Sequence, residues 1–232
     1  MACILNIETS TNVCSAALAI DGNVAWEQTS YEGHSHATLL GVYVEEALRE
    51  MHSKGHKLDA VAVSSGPGSY TGLRIGVSLA KGLCFGFGIP LLSIPTLELL
   101  AYTAIQTKPI DGALYCPMID ARRMEVYAAL FDGQLQPIRG AQADIVTEET
   151  YADTLASHPV CFFGDGAEKC KAVITSPHAR FLDGIYPLAS HMAPLAEKAY
   201  AAKQFEDVAY FEPFYLKEFQ ATIAKNKVLG NH

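Results

Sequence analysis

Two acidic residues end mostly apolar segments of this sequence, and acids so placed can hold a metal-bound phosphate. Glu8 follows residues 4–7, and Asp120 follows residues 114–119. Facing each other across a cleft, the two carboxylates could bind a magnesium–phosphate group. A phosphotransferase would also need glycine–threonine turns after those acids to wrap the phosphate, and neither turn here contains glycine. The pattern therefore predicts only a vestigial phosphate site, made of Glu8, Thr9, Ser10, Asp120, Gly164 and Gly166.

A glycine-rich turn, GPGSYTGLRIG at residues 66–76, leads into an apolar run. Turns of this composition often cradle phosphate, but the spacing fits neither the P-loop, GxxxxGK followed by Ser or Thr, nor the dinucleotide motif GxGxxG. Pro67 also removes one backbone donor. An anion bound at the N-terminus of the following helix remains an alternative.

The run after this turn, residues 73–87, predicts a helix with one smooth face, because small residues recur every four positions. An apolar helix is either buried in its own fold or pressed against another chain. We expect a partner surface, since apolar residues on the outer side of a helix that covers a sheet would form an exposed patch. The predicted interface consists of Gly72, Leu73, Gly76, Val77, Leu79, Ala80, Leu83 and Cys84.

Histidines and serines give no further constellation. His34 and His36 are two residues apart, and His52 and His56 are four apart, a spacing used by helical metal sites. Gly55 is expected to end the helix before His56, and no carboxylates complete either pair. We interpret these histidines as solvated or capping residues. The serines near the glycine turn lack a GxSxG elbow and are interpreted as caps.

The elements that position these residues predict an α/β protein. The first half has the order of a ribonuclease-H-like layer, with two hairpins followed by crossovers that give parallel pairing. Its elements are strand, strand, strand, helix, strand, helix, strand and helix, at residues 4–8, 14–20, 24–28, 36–51, 60–63, 73–87, 91–94 and from 96 onward.

The second half repeats this pattern in a degenerate form. Each half has an acid at the end of a first strand, then a second strand, then an Asp-Gly hairpin signal, at residues 21–22 and 132–133. We therefore predict two duplicated α/β lobes, residues 1–107 and 108–232, with the extreme C-terminus packing back on the first. In the second half, strands are predicted at 114–119, at 125–131, from 134 and at 160–163. Helices are predicted after a cap at Thr147, after the turn at 164–166 and at 192–205, and an extended tail follows.

Composition excludes several classes of protein. The chain has 232 residues, half of them apolar, and a formal net charge of −8, which argues against broad nonspecific binding to nucleic acid but not against one local basic face. Six scattered cysteines without a CxxC pair indicate a reduced, cytoplasmic protein. The most apolar span, residues 73–92, is interrupted by Arg74, Lys81 and Pro90, so we predict no membrane helix.

Four segments together resemble the bacterial TsaB (YeaZ) family, which is Gcp-like and peptidase M22-like. They are Ile7-Glu8-Thr9-Ser10, the whole stretch 65–76, Ile119-Asp120-Ala121-Arg122-Arg123 with Glu125-Val126-Tyr127, and Pro213-Phe214-Tyr215-Leu216. The stretch 65–76 is the most specific of them, and the resemblance runs over nearly the whole chain. The sequence departs from the family pattern at Glu8, where many members have an aspartate-like residue, and at Met124, where glycine is usual.

The resemblance implies an actin-like, two-lobed ATPase (ASKHA) fold and a role in making threonylcarbamoyladenosine in tRNA, next to the anticodon. It implies a catalytically inactive paralogue that pairs with the transferase TsaD and is joined by the ATPase TsaE. Alone it would form a homodimer, and it would meet tRNA through the complex. At residues 94–100, where TsaD carries an HxxxH metal pair, this chain has no such ligands.

The glycine turn is then expected to permit close approach and to start a helix that docks on the equivalent helix of TsaD. No cofactor is firmly implied, although weak ATP or ADP binding stays open. Two alternatives from other classes are a small actin-like kinase and a glycoprotease-like peptidase. The kinase requires phosphate-wrapping turns, and the peptidase requires a metal pair or an activated nucleophile.

Overall fold

The computed structural model describes residues 2–33 and 35–217. Its first sheet has five strands: β1 (Cys3–Glu8), β2 (Cys14–Ile20), β3 (Asn23–Ser30), β4 (Ala60–Gly66) and β5 (Leu91–Pro95). They lie in the order β3-β2-β1-β4-β5, with β1 antiparallel to β2 and parallel to β4. Asp21 and Gly22 form the first hairpin turn, with φ of 53° and 72°. This is the backbone region that favours Asp-Gly pairs, as the sequence predicts.

Helices cover both faces of the first sheet. On one face lie α1 (His36–Ser53) and α2 (Tyr70–Phe87), packed on alternate strand residues such as Leu5 and Val63. On the other face, α5 (Ala189–Ala201) packs on Ile4 and Ala62. Because successive side chains of a strand point to opposite faces, strands buried on both faces read as continuous apolar runs.

The second sheet repeats the first. Its strands are β6 (Leu114–Asp120), β7 (Glu125–Phe131), β8 (Pro137–Ile145), β9 (Val160–Phe163) and β10 (Ala179–Leu182). They lie in the order β10-β9-β6-β7-β8. Read from its other end, this is the order of the first sheet, with β6 in the place of β1. The predicted duplication and the actin-like class of fold are thereby confirmed. Helix α3 (Thr96–Thr107) packs on β6 and β7, and α4 (Ala152–Ser157) is short.

Several element boundaries in the second half differ from the prediction. Thr147 caps no helix: Thr150 Oγ1 accepts from Thr147 N at 2.7 Å and donates to Ile145 O at 3.1 Å, and α4 begins only at Ala152. The turn at 164–166 leads into a single 3-10 turn, Glu168–Cys170. Helix α5 begins three residues earlier than predicted and ends at Ala201. Strand β10 was not predicted, because its four residues carry no clear alternation.

The C-terminal segment, residues 203–217, lies along the first sheet and its glycine turn. Glu206 N donates to Leu91 O at 2.9 Å, and Phe214 N donates to Ser65 O at 2.7 Å. Helix α3, before the predicted lobe boundary, contacts β6, whereas α5, after it, contacts β1 and β2. The boundary at residue 107 stays a prediction. In the described part of the chain, no helix is long and apolar enough to cross a membrane.

Candidate functional site

The glycine turn at residues 66–76 closes over the turn that follows β1. Ser69 N donates to Ser10 O at 2.6 Å, and Thr9 Oγ1 donates to Gly72 O at 2.8 Å. A Cβ added to Gly68 would lie 2.3 Å from Ser10 O, and one added to Gly72 would lie 2.1 Å from Thr9 O. Glycine is required here because no side chain fits between the two backbones. The turn therefore approaches another turn of the same chain rather than a nucleotide.

The N-terminus of α2 is capped from within the chain. Ser69 precedes the first helical residue, and its Oγ accepts from Gly72 N at 3.2 Å. A serine at this position satisfies one of the amide groups that a helix leaves free. An anion is not needed to complete this cap.

Glu8 lies in the interior, beneath the turn. The residue is 0 % exposed, and its Oε1 accepts from Ser10 N at 2.5 Å. Its Oε2 and the hydroxyls of Ser10 and Ser64 are also buried. Burial raises the pKa of Glu8 to about 7, against the opposing effect of hydrogen bonding from Ser10. Because Thr9 and Ser10 are also 0 % exposed, a nucleotide phosphate cannot reach this turn as it stands.

We expect Glu8→Gln to change how stability depends on pH. The pKa of Glu8 is about 7 in the folded chain and ordinarily 4.5, so the carboxyl destabilises the fold increasingly as pH rises from 4.5 through 7. That difference corresponds to about 3 kcal/mol of unfolding free energy at pH 8, which the neutral amide would not lose. Urea unfolding at pH 5 and pH 8 measures it. Exposed Glu148, changed to Gln, is the control, and equal losses in wild type and Glu8→Gln would refute the assignment.

The second half has an equivalent turn at residues 164–166. Gly164 has φ of 97°, and a Cβ there would lie 2.3 Å from Met118 O, on β6. A Cβ on Gly166 would lie 2.9 Å from Ile119 C, and Asp165 Oδ1 accepts from Asp120 N at 3.0 Å. The two turns are thus equivalent. The first follows β4 and packs on the turn after β1, and the second follows β9 and packs on the end of β6.

The two acids of the predicted phosphate site differ in how far they are exposed. Glu8 is buried, whereas the Asp120 side chain is 48 % exposed and pairs with Lys169. Among the described residues, no hydrogen bond or ion pair joins Glu8 to Asp120. The residues of the predicted vestigial phosphate site therefore lie partly in the interior and partly at the surface, and the site itself stays a prediction.

A cavity of about 300 Å³ lies beside the second glycine turn. Asp165, Glu168 and Asp183 contribute its acidic groups, and Lys171 is already paired with Glu168 and Asp183. Acidic walls repel the phosphates of a nucleotide. Weak ATP or ADP binding remains a prediction.

The small-residue face of α2 packs inside the chain, which corrects the expectation that this face is a partner surface. Gly76 directly faces Thr9, because a Cβ there would lie 2.3 Å from Thr9 Oγ1. This face is buried because its small residues let α2 approach its own sheet and the turn that follows β1. Of the predicted interface, only Leu79 and Leu83 are partly exposed; Gly72, Leu73, Gly76, Val77, Ala80 and Cys84 are buried.

The opposite side of α2 carries a second small-residue series that the sequence analysis missed. Ser78, Gly82 and Gly86 recur every four residues and are exposed, and Phe85 beside them is 86 % exposed. A Cβ on Gly82 or Gly86 would meet nothing within 4 Å, and the same holds for exposed Gly41 on α1. We call Gly41, Val42, Ser78, Leu79, Gly82, Leu83, Phe85 and Gly86 the outer face.

The histidines form no metal site in the described ranges. His36 is buried with Nε2 3.2 Å from Val13 O, while His34 lies outside the described residues. Helix α1 ends at Ser53, and Gly55 follows with φ of 72°, so His56 is not on the helix, as predicted. No group of three or more His, Cys, Asp or Glu residues there could hold a metal ion.

Comparisons with known proteins agree with the duplicated fold. A family model described as TsaD, tRNA N6-adenosine threonylcarbamoyltransferase, matches residues 23–225. The TsaB protein of Bacillus subtilis is 30 % identical over 230 residues, covering 94 % of this chain and 95 % of that protein. TsaB of Escherichia coli is 30 % identical over 223 residues, covering 92 % and 94 %.

A solved structure is also similar. YeaZ from Pseudomonas aeruginosa superposes with a TM-score of 0.78 at 26 % identity, covering 93 % of this chain and all of that one. The alignment therefore includes both sheets and the turns that join them. On these matches, the chain belongs to the TsaB (YeaZ) family of tRNA threonylcarbamoyladenosine biosynthesis proteins, within the wider TsaD-like group.

Proposed function

We propose that this chain is a non-catalytic partner subunit of a TsaD-type transferase, required for threonylcarbamoyl transfer to the adenosine next to the anticodon. This proposal rests on the closed turn after β1, where Glu8, Thr9 and Ser10 are 0 % exposed. In an actin-like enzyme this turn would have to meet phosphate, and here Gly68 and Gly72 pack directly on it. Family membership supports the assignment to tRNA modification.

The outer face is the proposed docking surface for the transferase. Glycine in a helix interior destabilises the helix by about 1 kcal/mol relative to alanine. Gly41 and Gly82 therefore destabilise α1 and α2, although in the described part of the chain nothing would lie within 4 Å of a Cβ at either position. The backbone of a partner protein that approaches these helices closely would explain why glycine occupies these positions. Phe85, 86 % exposed, adds the apolar area that an interface core uses.

The partner's geometry follows from paralogy. A transferase of the same wider group, with a like pair of helices, can meet the outer face about an approximate two-fold axis. Because the two surfaces are related, the chain by itself would pair with a second copy through the same face. The ATPase TsaE would then join the pair. The proposal places the complex in the cytoplasm and gives this chain no reaction of its own.

Reconstitution with purified proteins tests this function. Unmodified tRNA is incubated with threonylcarbamoyl-adenylate, the transferase and the ATPase, with or without this chain, and nucleosides are quantified by mass spectrometry. We expect modified adenosine only when the chain is present. Equal modification without it would contradict the proposal. In parallel, the purified chain is titrated with ATP in a calorimeter, and we expect no micromolar binding with turnover. Micromolar binding with turnover would instead favour the kinase.

A further inference from the structure

A group of basic side chains lies where the C-terminal segment passes from the first sheet to the second. We define the basic strip as the side chains of Arg74, Arg122, Arg123, Lys169 and Lys217. The whole chain has a formal net charge of −8, and Lys169 and Lys217 are paired with acids, so within the described residues the positive charge of the strip that no ion pair offsets lies at its arginines. Local positive charge on an acidic protein indicates an anionic partner at that place.

Direct contacts join the strip into one surface. The guanidinium of Arg74 lies 4.2 Å from the ring centroid of Tyr70, and that ring lies 5.0 Å from the ring of Tyr215. Two residues further along the chain, Lys217 pairs with Glu125, at the start of β7. The strip therefore runs from the N-terminal half of α2 to the turn between β6 and β7.

The turn between β6 and β7 holds Arg122 and Arg123 in an unusual backbone. Their φ angles are 69° and 49°, in the left-handed region that residues other than glycine rarely occupy. Glu125 N donates to Arg122 O at 3.1 Å, and Asp120 Oδ1 accepts from Arg122 N at 3.2 Å. Both arginines are exposed. Disfavoured backbone that the surroundings maintain is concentrated at functional sites.

Neighbouring acids do not neutralise these two arginines. Asp120 pairs with Lys169, whose Nζ also donates to Glu125 O at 2.6 Å, and the Glu125 carboxylate pairs with Lys217. The acid near the far end of the strip is Glu212, whose charge acts on Arg74. Within residues 2–33 and 35–217, neither Arg122 nor Arg123 makes an ion pair.

We propose that the basic strip binds the phosphate backbone of RNA, with Arg122 and Arg123 as its main contacts. A guanidinium presents a planar fork of donors that matches phosphate oxygens. The rings of Tyr70 and Tyr215 lie beside the Arg74 guanidinium, and aromatic rings among cations are a surface on which bases stack. The choice of RNA over an acidic protein rests on these rings among cations and on the proposed function, which brings tRNA to the complex.

The test measures how salt affects tRNA binding by the complex of this chain with the transferase. The variant is Arg122→Asn with Arg123→Asn, since asparagine tolerates the left-handed backbone and removes the charge. Arg180→Asn, an exposed arginine on β10, is the matched control. Labelled, unmodified tRNA is titrated between about 50 and 200 mM salt. Losing two phosphate contacts should reduce the slope of log affinity against log salt by about 1.8, with weaker binding at low salt, while the control keeps the wild-type slope.

Other results overturn the inference. Equal slopes for wild type and the double variant would mean that the arginines contact no phosphate. Loss of the transferase from the double variant, with an unchanged slope for the RNA that still binds, would make an acidic protein the occupant. If the wild-type pair itself does not assemble, the proposed function fails, and the same slope comparison on the full chain alone still decides the strip.

Discussion

Gly82→Arg is expected to separate this chain from its transferase partner without lowering its own stability. Gly82 is exposed in the middle of α2, and a Cβ there meets nothing within 4 Å. Replacing a helical glycine by arginine should raise the stability of the helix by up to about 1 kcal/mol. At the proposed interface, however, the long charged side chain would prevent the close approach of the two helices. We expect the affinity to fall by at least about thirtyfold, which is the effect of losing a hot-spot residue.

Co-expression followed by gel filtration, with calorimetric titration of the purified pair, measures this loss. Gly140→Arg is the matched control, because Gly140 is exposed on β8 and also has open space at its Cβ. The control should elute with the transferase as the wild type does. An unchanged affinity for Gly82→Arg would remove the outer face from the interface, whereas unfolding would show that α2 tolerates no substitution there.

Gly72→Ala should be the most destabilising single-methyl change in α2. Its Cβ would lie 2.1 Å from Thr9 O, a backbone atom of a turn that hydrogen bonds hold in place. Overpacking of this kind typically destabilises by 1–3 kcal/mol, and a backbone neighbour places Gly72 near the upper end, at about 3 kcal/mol. For a chain of this length, that corresponds to a melting temperature lower by about 6–12 °C.

The matched variant lies ten residues further along the same helix. Gly82→Ala makes the same chemical change in open space, so we expect it to stabilise the chain by about 1 kcal/mol. Urea and thermal unfolding of both variants give the two signs directly. If Gly72→Ala stabilises the chain, then the glycine turn does not make the close approach to Thr9 that the structure describes; if Gly82→Ala destabilises it, the space at Gly82 is not open.

The sequence was sufficient for the strand order and the duplication. Acid-ended strands, Asp-Gly hairpins and a glycine pair after the next parallel strand recur in both halves, and these are local signals that depend on backbone chemistry. It was insufficient for Thr147 and β10. Thr147 has the residue type of a cap, but the hydroxyl of Thr150 forms a competing turn. Four-residue β10 is a strand only because β9 lies beside it.

The burial of Glu8 could not be inferred from the sequence either. Its residue type and position suit phosphate chemistry, and nothing in the neighbouring letters reveals that Gly68 and Gly72 pack directly on the turn that follows Glu8. The contact joins residues about sixty positions apart, Thr9 with Gly72. Local patterns carry no information about such distant pairs.

The sequence by itself determined that α2 is helical, that it is lined with small residues, and that it follows a glycine-rich turn. Helical periodicity shows two small series, Gly72 to Cys84 and Ser78 to Gly86, and it ranks neither above the other. Only the tertiary structure decided that the first faces Thr9 and the second faces solvent. The physical reason is that a period of 3.6 residues specifies which side chains share a face, whereas the packing of distant strands specifies where that face points.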